Sequence, residues 1–277
     1  MSEQTLWQSR DFRLFIGSSA FAQLAYGINA VAFPWLATLL TRDPVLIGIV
    51  VMAPILPWLF FGLPAGVLTD RLDHRRAIIW TNLIRSVLIL GTLRLALTAT
   101  PGEGAVWVLA ALAFAQGTVE VLRDNTSQTI LPQVVDKRQL EAANAVLMTS
   151  ENLMSQFLGP PLAGAMIAVS IALPFGVEAG ALVGSAAMVA LMATRAAERP
   201  ARHPFWPAMR EGLAWLWGHL ALRRLGLVLG AYNFLFQLIW SVMVLYAQDS
   251  LRLGSFGYGV LLSALALGGL VGGVAAP

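Results

Sequence analysis

A short charged loop at residues 66–76, with the sequence GVLTDRLDHRR, gives the clearest indication of the fold of this chain. Apolar runs of about 20 residues, the length that a helix needs to cross a bilayer, lie on both sides of it. A tight, arginine-rich loop between two such runs is typical of the cytoplasmic face of a membrane protein. The loop therefore predicts a multi-pass helical membrane protein and gives its orientation.

The composition is that of a chain largely surrounded by lipid. Hydrophobic residues make up 57% of the sequence and charged residues 12%, against about 25% charged residues in an ordinary soluble domain. The mean hydropathy is +0.71. The formal charge of +3 is explained by arginines held on the cytoplasmic side. We therefore predict the lipid bilayer as a partner and no nucleic acid.

Residue usage restricts the chemistry further. The sequence contains no cysteine, which excludes disulfides, thiol catalysis and cysteine-based metal sites. The spacing of His74, His203 and His219 fits no metal site. No Walker A motif, Gly-rich dinucleotide loop or nucleophile-elbow serine appears. We therefore predict that the chain is not an enzyme and uses neither a metal nor a cofactor.

Hydrophobic periodicity and run length predict an all-α membrane fold. Candidate spans lie at residues 13–40, 45–69, 77–98, 105–131, 141–168, 173–194, 225–248 and 257–277. A longer polar segment separates the sixth span from the seventh. We predict an N-terminal six-helix bundle at residues 1–194, a cytoplasmic connector at 195–224 and the start of a second bundle at 225–277.

The distribution of basic residues predicts the topology. If the N-terminus lies in the cytoplasm, the only basic residues in the predicted outside loops are Arg42 and Arg252. The basic residues of the predicted cytoplasmic segments are Arg10, Arg13, Arg71, Arg75, Arg76, Lys137, Arg138, Arg195, Arg199, Arg202, Arg210, Arg223 and Arg224. This asymmetry indicates a cytoplasmic N-terminus, and we expect the plasma membrane as the location. The first apolar run lacks a cleavage pattern and is interpreted as a retained span.

Residues 205–217 of the connector are amphipathic. Trp206, Met209, Leu213 and Leu216 line one stripe at helical spacing. Aromatic residues combined with arginine suit a helix that lies in the plane of the lipid headgroups. The alternative is a helix packed under the bundle that serves only as a link.

The loop at 66–76 resembles the motif between the second and third spans of major facilitator superfamily (MFS) transporters. That motif runs roughly Gly-x-Leu-Ala-Asp-Arg-x-Gly-Arg-Arg/Lys. The matching positions are Gly66, Leu68, Asp70, Arg71, Arg75 and Arg76, while Thr69 and Asp73 replace the usual alanine and second glycine. The resemblance implies the MFS fold and transport by a rocking motion.

The same loop has the chemistry of a gate. Gly66 allows two helices to approach closely, and Asp70 can pair with arginine or accept hydrogen bonds from a helix N-terminus. Such a contact can be made in one conformation and broken in another. We predict a gating motif of Gly66, Asp70, Arg71, Arg75 and Arg76. The alternative is a basic clamp that only maintains the orientation.

The fourth span contains several polar side chains. Glu120, Asp124 and Gln128 are spaced to share one helix face, with Arg123 beside them. An ionised group at the bilayer centre costs about 2.5–3.5 kcal/mol on insertion scales, so these groups should face other helices or water. All three are candidates for a polar cavity. For Asp124 with Arg123, we favour a structural pair with the arginine-rich loop.

The fifth span narrows the resemblance to an efflux-type MFS branch that includes siderophore and drug exporters. The positions that carry this likeness are Glu120, Asp124, Gln128, Pro132, Ala143, Asn144, Glu151, Gly159, Pro160, Pro161, Leu162 and Gly164. The segment from Gly159 to Gly164 is also similar to the Gly-Pro motif of antiporters, although Ala163 replaces a glycine. We predict a hinge at Gly159, Pro160 and Gly164, because proline removes a helix hydrogen bond. The alternative is a static kink.

Glu151 is the main candidate for proton coupling. It lies about 15 Å from the start of its predicted helix, at 1.5 Å per residue, and therefore near mid-membrane. A carboxyl group there could exchange a proton in each cycle, with Asn152 and Gln156 as polar partners. Glu120 ranks next, and Glu178, nearer the outer face, ranks lower. The alternative is a carboxyl group that only packs between helices.

Polar residues of the first and seventh spans are further, weaker candidates for substrate binding. They are considered because these two spans line the cavity in the family that the chain resembles. They are Gln23, Tyr26 and Asn29, and Tyr232, Asn233 and Gln237, of which Tyr26, Asn29, Asn233 and Gln237 are retained as substrate-binding candidates. Arg85 on the third span is expected to snorkel or to pair locally.

Together with the MFS resemblance, the candidate residues named above predict proton-coupled efflux of a small amphiphilic molecule by alternating access, driven by a proton gradient. MFS transport needs two six-helix halves, whereas the last apolar run is cut off at Pro277. We therefore expect the N-terminal part of a longer transporter, with a complete first bundle and one to two helices of the second. The C-terminal half would be missing or supplied by a partner chain. The alternative is a truncated membrane scaffold that does not transport.

Overall fold

The computed structural model describes residues 6–69, 71–193 and 205–275, and the elements in these ranges are helices. The α-helices are α1 (Arg10–Leu40), α2 (Pro44–Met52), α3 (Leu56–Thr69), α4 (His74–Thr98), α5 (Glu103–Val134), α6 (Leu140–Asn152), α7 (Gly159–Val169), α8 (Leu173–Ala190), α9 (Phe205–Gly218), α10 (Leu220–Leu245) and α11 (Ser255–Ala275). A π-helical segment, Leu153–Leu158, joins α6 to α7, and another, Tyr246–Ser250, continues α10.

Within these ranges, six helical stretches are long and apolar enough to cross a membrane. They are Arg10–Leu40, Pro44–Gly62, His74–Thr98, Glu103–Val134, Leu173–Ala190 and Leu220–Ser250. They coincide with the first, second, third, fourth, sixth and seventh predicted spans. The predicted fifth span is divided among α6, the π-helical segment and α7, and the eighth contains the shorter apolar helix Ser255–Gly268. The prediction of an all-α membrane protein is confirmed.

The second span is not the continuous helix that was predicted for residues 45–69. α2 ends at Met52 and α3 begins at Leu56. Pro54 and Pro57 lie at this break, and a proline cannot donate the backbone hydrogen bond that an uninterrupted helix requires. The break places Trp58 in the first turn of α3.

Short polar side chains define the starts of three helices. Ser9 Oγ accepts a hydrogen bond from the amide of Phe12 at 3.3 Å, and Asp43 Oδ1 accepts one from Val45 at 2.8 Å. Asp73 Oδ1 accepts one from the amide of Arg76 at 3.0 Å. Each such cap is worth about 1 kcal/mol, because it satisfies a backbone donor that has no partner inside the helix. Asp73, which replaces a glycine of the MFS motif, therefore begins α4.

α8 has two main neighbours among the described helices. It packs against α1 and α4, while α4 packs against α5 and α5 against α3. The largest apolar cluster joins side chains of α1, α2, α5 and α8 to residues of α7, α10 and α11. Because lipid is as apolar as such a core, close packing and polar contacts between helices contribute more here than hydrophobic burial.

α7 makes close backbone contacts with two other helices. The backbone of Gly159 lies against that of Gly27 on α1, and the backbone of Gly164 lies against that of Ser255 on α11. Ser255 Oγ also donates a hydrogen bond to the carbonyl oxygen of Gly164 at 2.8 Å. A side chain at either glycine would overlap backbone atoms, so α7 is held between α1 and α11.

The loop between α3 and α4 is tied to α8 by an arginine. Arg75 Nε donates to the carbonyl oxygen of Val189 at 3.1 Å, and Arg75 Nη2 donates to that of Ala190. These carbonyls end α8, where acceptors lack helical partners and the helix dipole favours a cation. Among the described residues, no atom outside its chain neighbours and its own helix backbone lies within 4 Å of the Cβ position of Gly66, so the close helix approach expected there is absent from this conformation. Asp70 of the predicted gating motif lies outside the described residues.

The connector contains α9 at the position of the predicted amphipathic helix. α9 contacts α3 and α10, and its Trp215 and Trp217 side chains are exposed. The ring of Trp217 lies 5.9 Å from the guanidinium carbon of Arg223. Its placement at the membrane surface stays a prediction, and the connector arginines at 195, 199 and 202 lie outside the described residues.

Candidate functional site

A polar cavity of about 300 Å³ lies where α1, α3, α5 and α6 meet. Its wall is formed by Gln23, Trp58, Asp124, Asn125, Ser127, Gln128 and Glu151. This volume is at the lower end of the range for small-ligand pockets. Two carboxyl groups, an indole ring and several amide and hydroxyl groups therefore surround a space that a small organic molecule can enter.

Most of the wall comes from α5, because its polar side chains recur at helical spacing. Asp124 and Gln128 are one helical turn apart, and Ser127 lies between them along the same side. Asp124 and Gln128 are two of the three residues predicted to share a face, and both line the cavity. Glu120, the third, does not.

Glu120 is held instead in an ion pair between α4 and α5. One of its carboxyl oxygens lies 3.2 Å from Arg85 Nη2, and the exposed fractions of the two side chains are 12% and 2%. Arg85 Nε donates to Gln116 Oε1 at 3.3 Å, and Gln116 Nε2 donates to the carbonyl oxygen of Arg85 at 3.0 Å. The cavity position expected for Glu120 is therefore corrected, because Arg85 pairs with it locally and does not snorkel.

Asp124 also has an arginine partner. Arg123 Nη1 donates to Asp124 Oδ1 at 2.9 Å, with the arginine side chain 3% exposed and the aspartate side chain 31% exposed. Arg75 of the arginine-rich loop binds carbonyls of α8 instead, and the expected pairing of Arg123 and Asp124 with the other arginines of that loop stays a prediction. Asp124 therefore reaches the cavity with its charge largely balanced.

Glu151 differs from both, because within the described ranges it forms no ion pair. Ser19 Oγ on α1 donates to Glu151 Oε1 at 3.0 Å. The expected polar partners, Asn152 and Gln156, are exposed and bind each other, with Gln156 Nε2 donating to Asn152 Oδ1 at 2.7 Å. Glu151 thus faces the cavity with a neutral hydroxyl group as its partner.

The profile of the transmembrane secretion effector family matches residues 5–277. The chain belongs to this family. It is an efflux-type branch of the major facilitator superfamily, as the sequence resemblance predicted.

Two curated relatives are multidrug pumps. The chain is 30% identical over 267 residues to the multidrug efflux pump Tap of Mycolicibacterium fortuitum, covering 94% of this chain and 64% of that protein. It is 27% identical over 268 residues to the multidrug efflux pump Tap of Mycobacterium tuberculosis (strain ATCC 25618 / H37Rv), covering 94% of this chain and 63% of that protein. The chain therefore spans slightly less than two-thirds of the length of these relatives.

In this secretion effector chain, the predicted hinge residues directly follow an irregular helical segment. The π-helical turn Leu153–Leu158 separates Glu151 from Gly159, and such turns are frequent at functional sites. Pro160 lies in the first turn of α7, where its missing amide hydrogen costs little. A π-helical turn thus separates the half of the fifth span that faces the cavity from the half held by glycine contacts. The hinge itself stays a prediction.

The four weaker substrate-binding candidates lie outside the wall of this cavity. Asn29 Nδ2 donates to Glu178 Oε1 at 3.0 Å, and the exposed Asn233 donates to the carbonyl oxygen of Leu229 on its own helix at 2.8 Å. Tyr26 is exposed on α1, and Gln237 is half-buried on α10. Gln23, one turn from Tyr26, is the residue of α1 that lines the cavity.

Several residues of the site were not singled out from the sequence. Ser127 follows Asp124 by three positions, so helical spacing alone would have indicated it. Trp58 stands in an apolar run, where an aromatic residue gives no sign of a polar neighbour. Ser19 is one of many small residues on α1, and its partner Glu151 is far away in sequence.

Proposed function

We propose that this family member acts in proton-coupled efflux, with the cavity between α1, α3, α5 and α6 as the site for a small amphiphilic molecule. The observation that carries the proposal is the Glu151 carboxyl group, which faces the cavity without an ion pair. The printed names of the relatives, multidrug efflux pumps, support the direction of transport.

The wall of the cavity favours an organic cation. Glu151 can hold a proton or attract a cation, whereas Asp124 is already balanced by Arg123. The indole of Trp58 adds an aromatic face, and a cation placed over such a ring gains about 0.5–2 kcal/mol. Because proton and cation compete for the same carboxylate, binding of one displaces the other, which is the exchange that an antiporter needs.

Contacts at the two ends of the bundle suit a site that opens to each side in turn. Arg75 ties the loop between α3 and α4 to the end of α8. At the opposite end, Arg42 Nη1 donates to Gln248 Oε1 at 2.8 Å and lies 3.7 Å from Asp249, linking the end of α1 to the end of α10. If the contacts of Arg75 break while those of Arg42 are kept, or the reverse, the cavity would open to one side at a time, with the π-helical turn before Gly159 as the point of bending.

Orientation and energy source follow the charge distribution. With the N-terminus in the cytoplasm of a plasma membrane, Arg75 lies at the inner end and Arg42 at the outer end. Each proton that enters then releases about 2.3 kcal/mol per 100 mV of membrane potential. A monovalent cation that leaves in exchange for one proton costs the same amount, so the pH gradient would supply the net energy for its outward movement.

The proposal is tested by reconstituting the protein in liposomes, with ethidium as the transported probe and an imposed pH gradient. We expect Glu151→Gln to abolish the dependence of ethidium flux on the gradient, because the amide cannot release a proton, while folding is retained. Glu141→Gln is the matched control, since this exposed residue lies on the same helix. Gradient-driven flux that persists in Glu151→Gln, or its absence from the unaltered protein, would contradict the proposal.

A further inference from the structure

A second carboxyl group is buried in the bundle away from the cavity. Glu178 on α8 is 0% exposed. Its Oε1 accepts the hydrogen bond from Asn29 Nδ2, whereas its Oε2 has no hydrogen-bond partner among the described residues. Glu178 is not part of the cavity wall. A fully buried carboxyl group with one unsatisfied oxygen requires an explanation.

Among the residues that the structure describes, no cation forms an ion pair with Glu178. α8 packs mainly against α1, α4 and α7. α4 contributes Arg85, whose charge acts on Glu178 together with that of Glu120 from α5, but Arg85 is bound to Glu120 and Gln116. α7 contains no ionisable residue. An ionised carboxylate in such surroundings costs several kcal/mol, far more than the protonated form.

α1 connects Glu178 to the cavity. Ser19 binds Glu151, Gln23 lines the cavity, and Asn29 binds Glu178. Ten positions separate Ser19 from Asn29, a rise of about 15 Å along the helix axis. Asn29 is half-buried, so one hydrogen bond separates the buried carboxyl group of Glu178 from the surface of the bundle. A shift of α1 against α8 would therefore expose Glu178 to water.

We propose that Glu178 is a second proton-binding site, separate from the cavity, which holds a proton in this conformation and releases it when α1 moves against α8. The proton is taken from water, forming an O–H bond at Oε2, and returns to water when that bond breaks. The remaining carboxylate keeps the hydrogen bond from Asn29. The role of this proton in transport rests on the function proposed above, whereas its binding to Glu178 does not.

Infrared spectroscopy of the protein in lipid tests the bound proton directly, because a protonated carboxyl group has a C=O stretching band that the carboxylate lacks. We expect Glu178→Gln to remove such a band at neutral pH and Glu178→Asp, which keeps a carboxyl group, to restore it. Glu103→Gln, at the exposed start of α5, is the matched control and should leave the band unchanged. Loss of no such band in Glu178→Gln would overturn the proposal, whereas bands from other protonated carboxyl groups, such as that of Glu151, should remain.

Transport measurements test the use of this proton. With a pH-sensitive dye in ethidium-transporting liposomes, Glu178→Gln should lower the protons moved per ethidium to about half, because Glu151 remains as the other carrier. An unchanged ratio would overturn the proposed role of Glu178. Absence of gradient-driven flux from the unaltered protein would instead contradict the proposed function, while the infrared result would still decide whether Glu178 holds a proton.

Discussion

The carboxyl groups inside the bundle form two sets that differ in their partners. Glu120 and Asp124 each contact an arginine, Arg85 at 3.2 Å and Arg123 at 2.9 Å. Glu151 and Glu178 have only neutral donors, a serine hydroxyl and an asparagine amide, both at 3.0 Å. All four belong to helices of the same bundle, so their location in the bundle does not distinguish the two sets.

The comparison indicates which carboxyl groups can change charge at low cost. Protonating Glu120 would leave Arg85 buried without its counter-ion, which is strongly unfavourable. Protonating Glu151 removes a charge that has no ion-pair partner among the described residues, with Arg123 acting on it only from farther away, and leaves the hydrogen bond from Ser19 available. The Arg85–Glu120 pair therefore joins α4 to α5, the Arg123–Asp124 pair lies within α5, and the unpaired set carries the proton exchange proposed above.

The largest expected effect comes from breaking the buried pair. Arg85→Met should lower the free energy of unfolding by about 3–5 kcal/mol, because Glu120 is left as an unpaired buried charge. Denaturant unfolding in detergent micelles measures this loss. The double variant Arg85→Met/Glu120→Met should recover most of it, since no charge remains to be compensated. A loss below about 1 kcal/mol in the single variant would mean that Arg85 and Glu120 are not structurally coupled.

A smaller loss of stability is expected when the ion pair between Arg123 and Asp124 is broken. Arg123→Met should cost about 1.5–3 kcal/mol, the range for a hydrogen bond to a charged group, because Asp124 keeps access to the cavity. Arg123→Lys, which retains the charge, serves as the control and should cost less. If Arg123→Met cost more than Arg85→Met in the same assay, the ranking of the two pairs by burial would be wrong.

Much of the fold could be predicted from the sequence, because run length and charge asymmetry are local properties. The apolar runs gave the positions of the spans, and polar residues inside them indicated Asp124, Gln128 and Glu151 as cavity residues. The break between α2 and α3 was also encoded locally, in Pro54 and Pro57.

The partners of the charged groups could not be predicted in the same way. Whether Glu120 meets the cavity or Arg85 depends on how α4 and α5 are rotated about their axes, and a single sequence does not specify that rotation. The same holds for Trp58, which reaches the cavity only because α3 starts after a bend. The close contact of Gly159 with Gly27 likewise joins residues far apart in the chain.

The most direct test of the central claim, that a proton and an organic cation compete for Glu151, is the affinity for ethidium as a function of pH. We predict that the affinity of the unaltered protein increases with pH, since deprotonation creates the negative charge that attracts the cation, and that each ethidium bound releases a proton. Glu151→Gln should bind ethidium with an affinity that does not depend on pH. Affinity independent of pH in the unaltered protein would contradict the account.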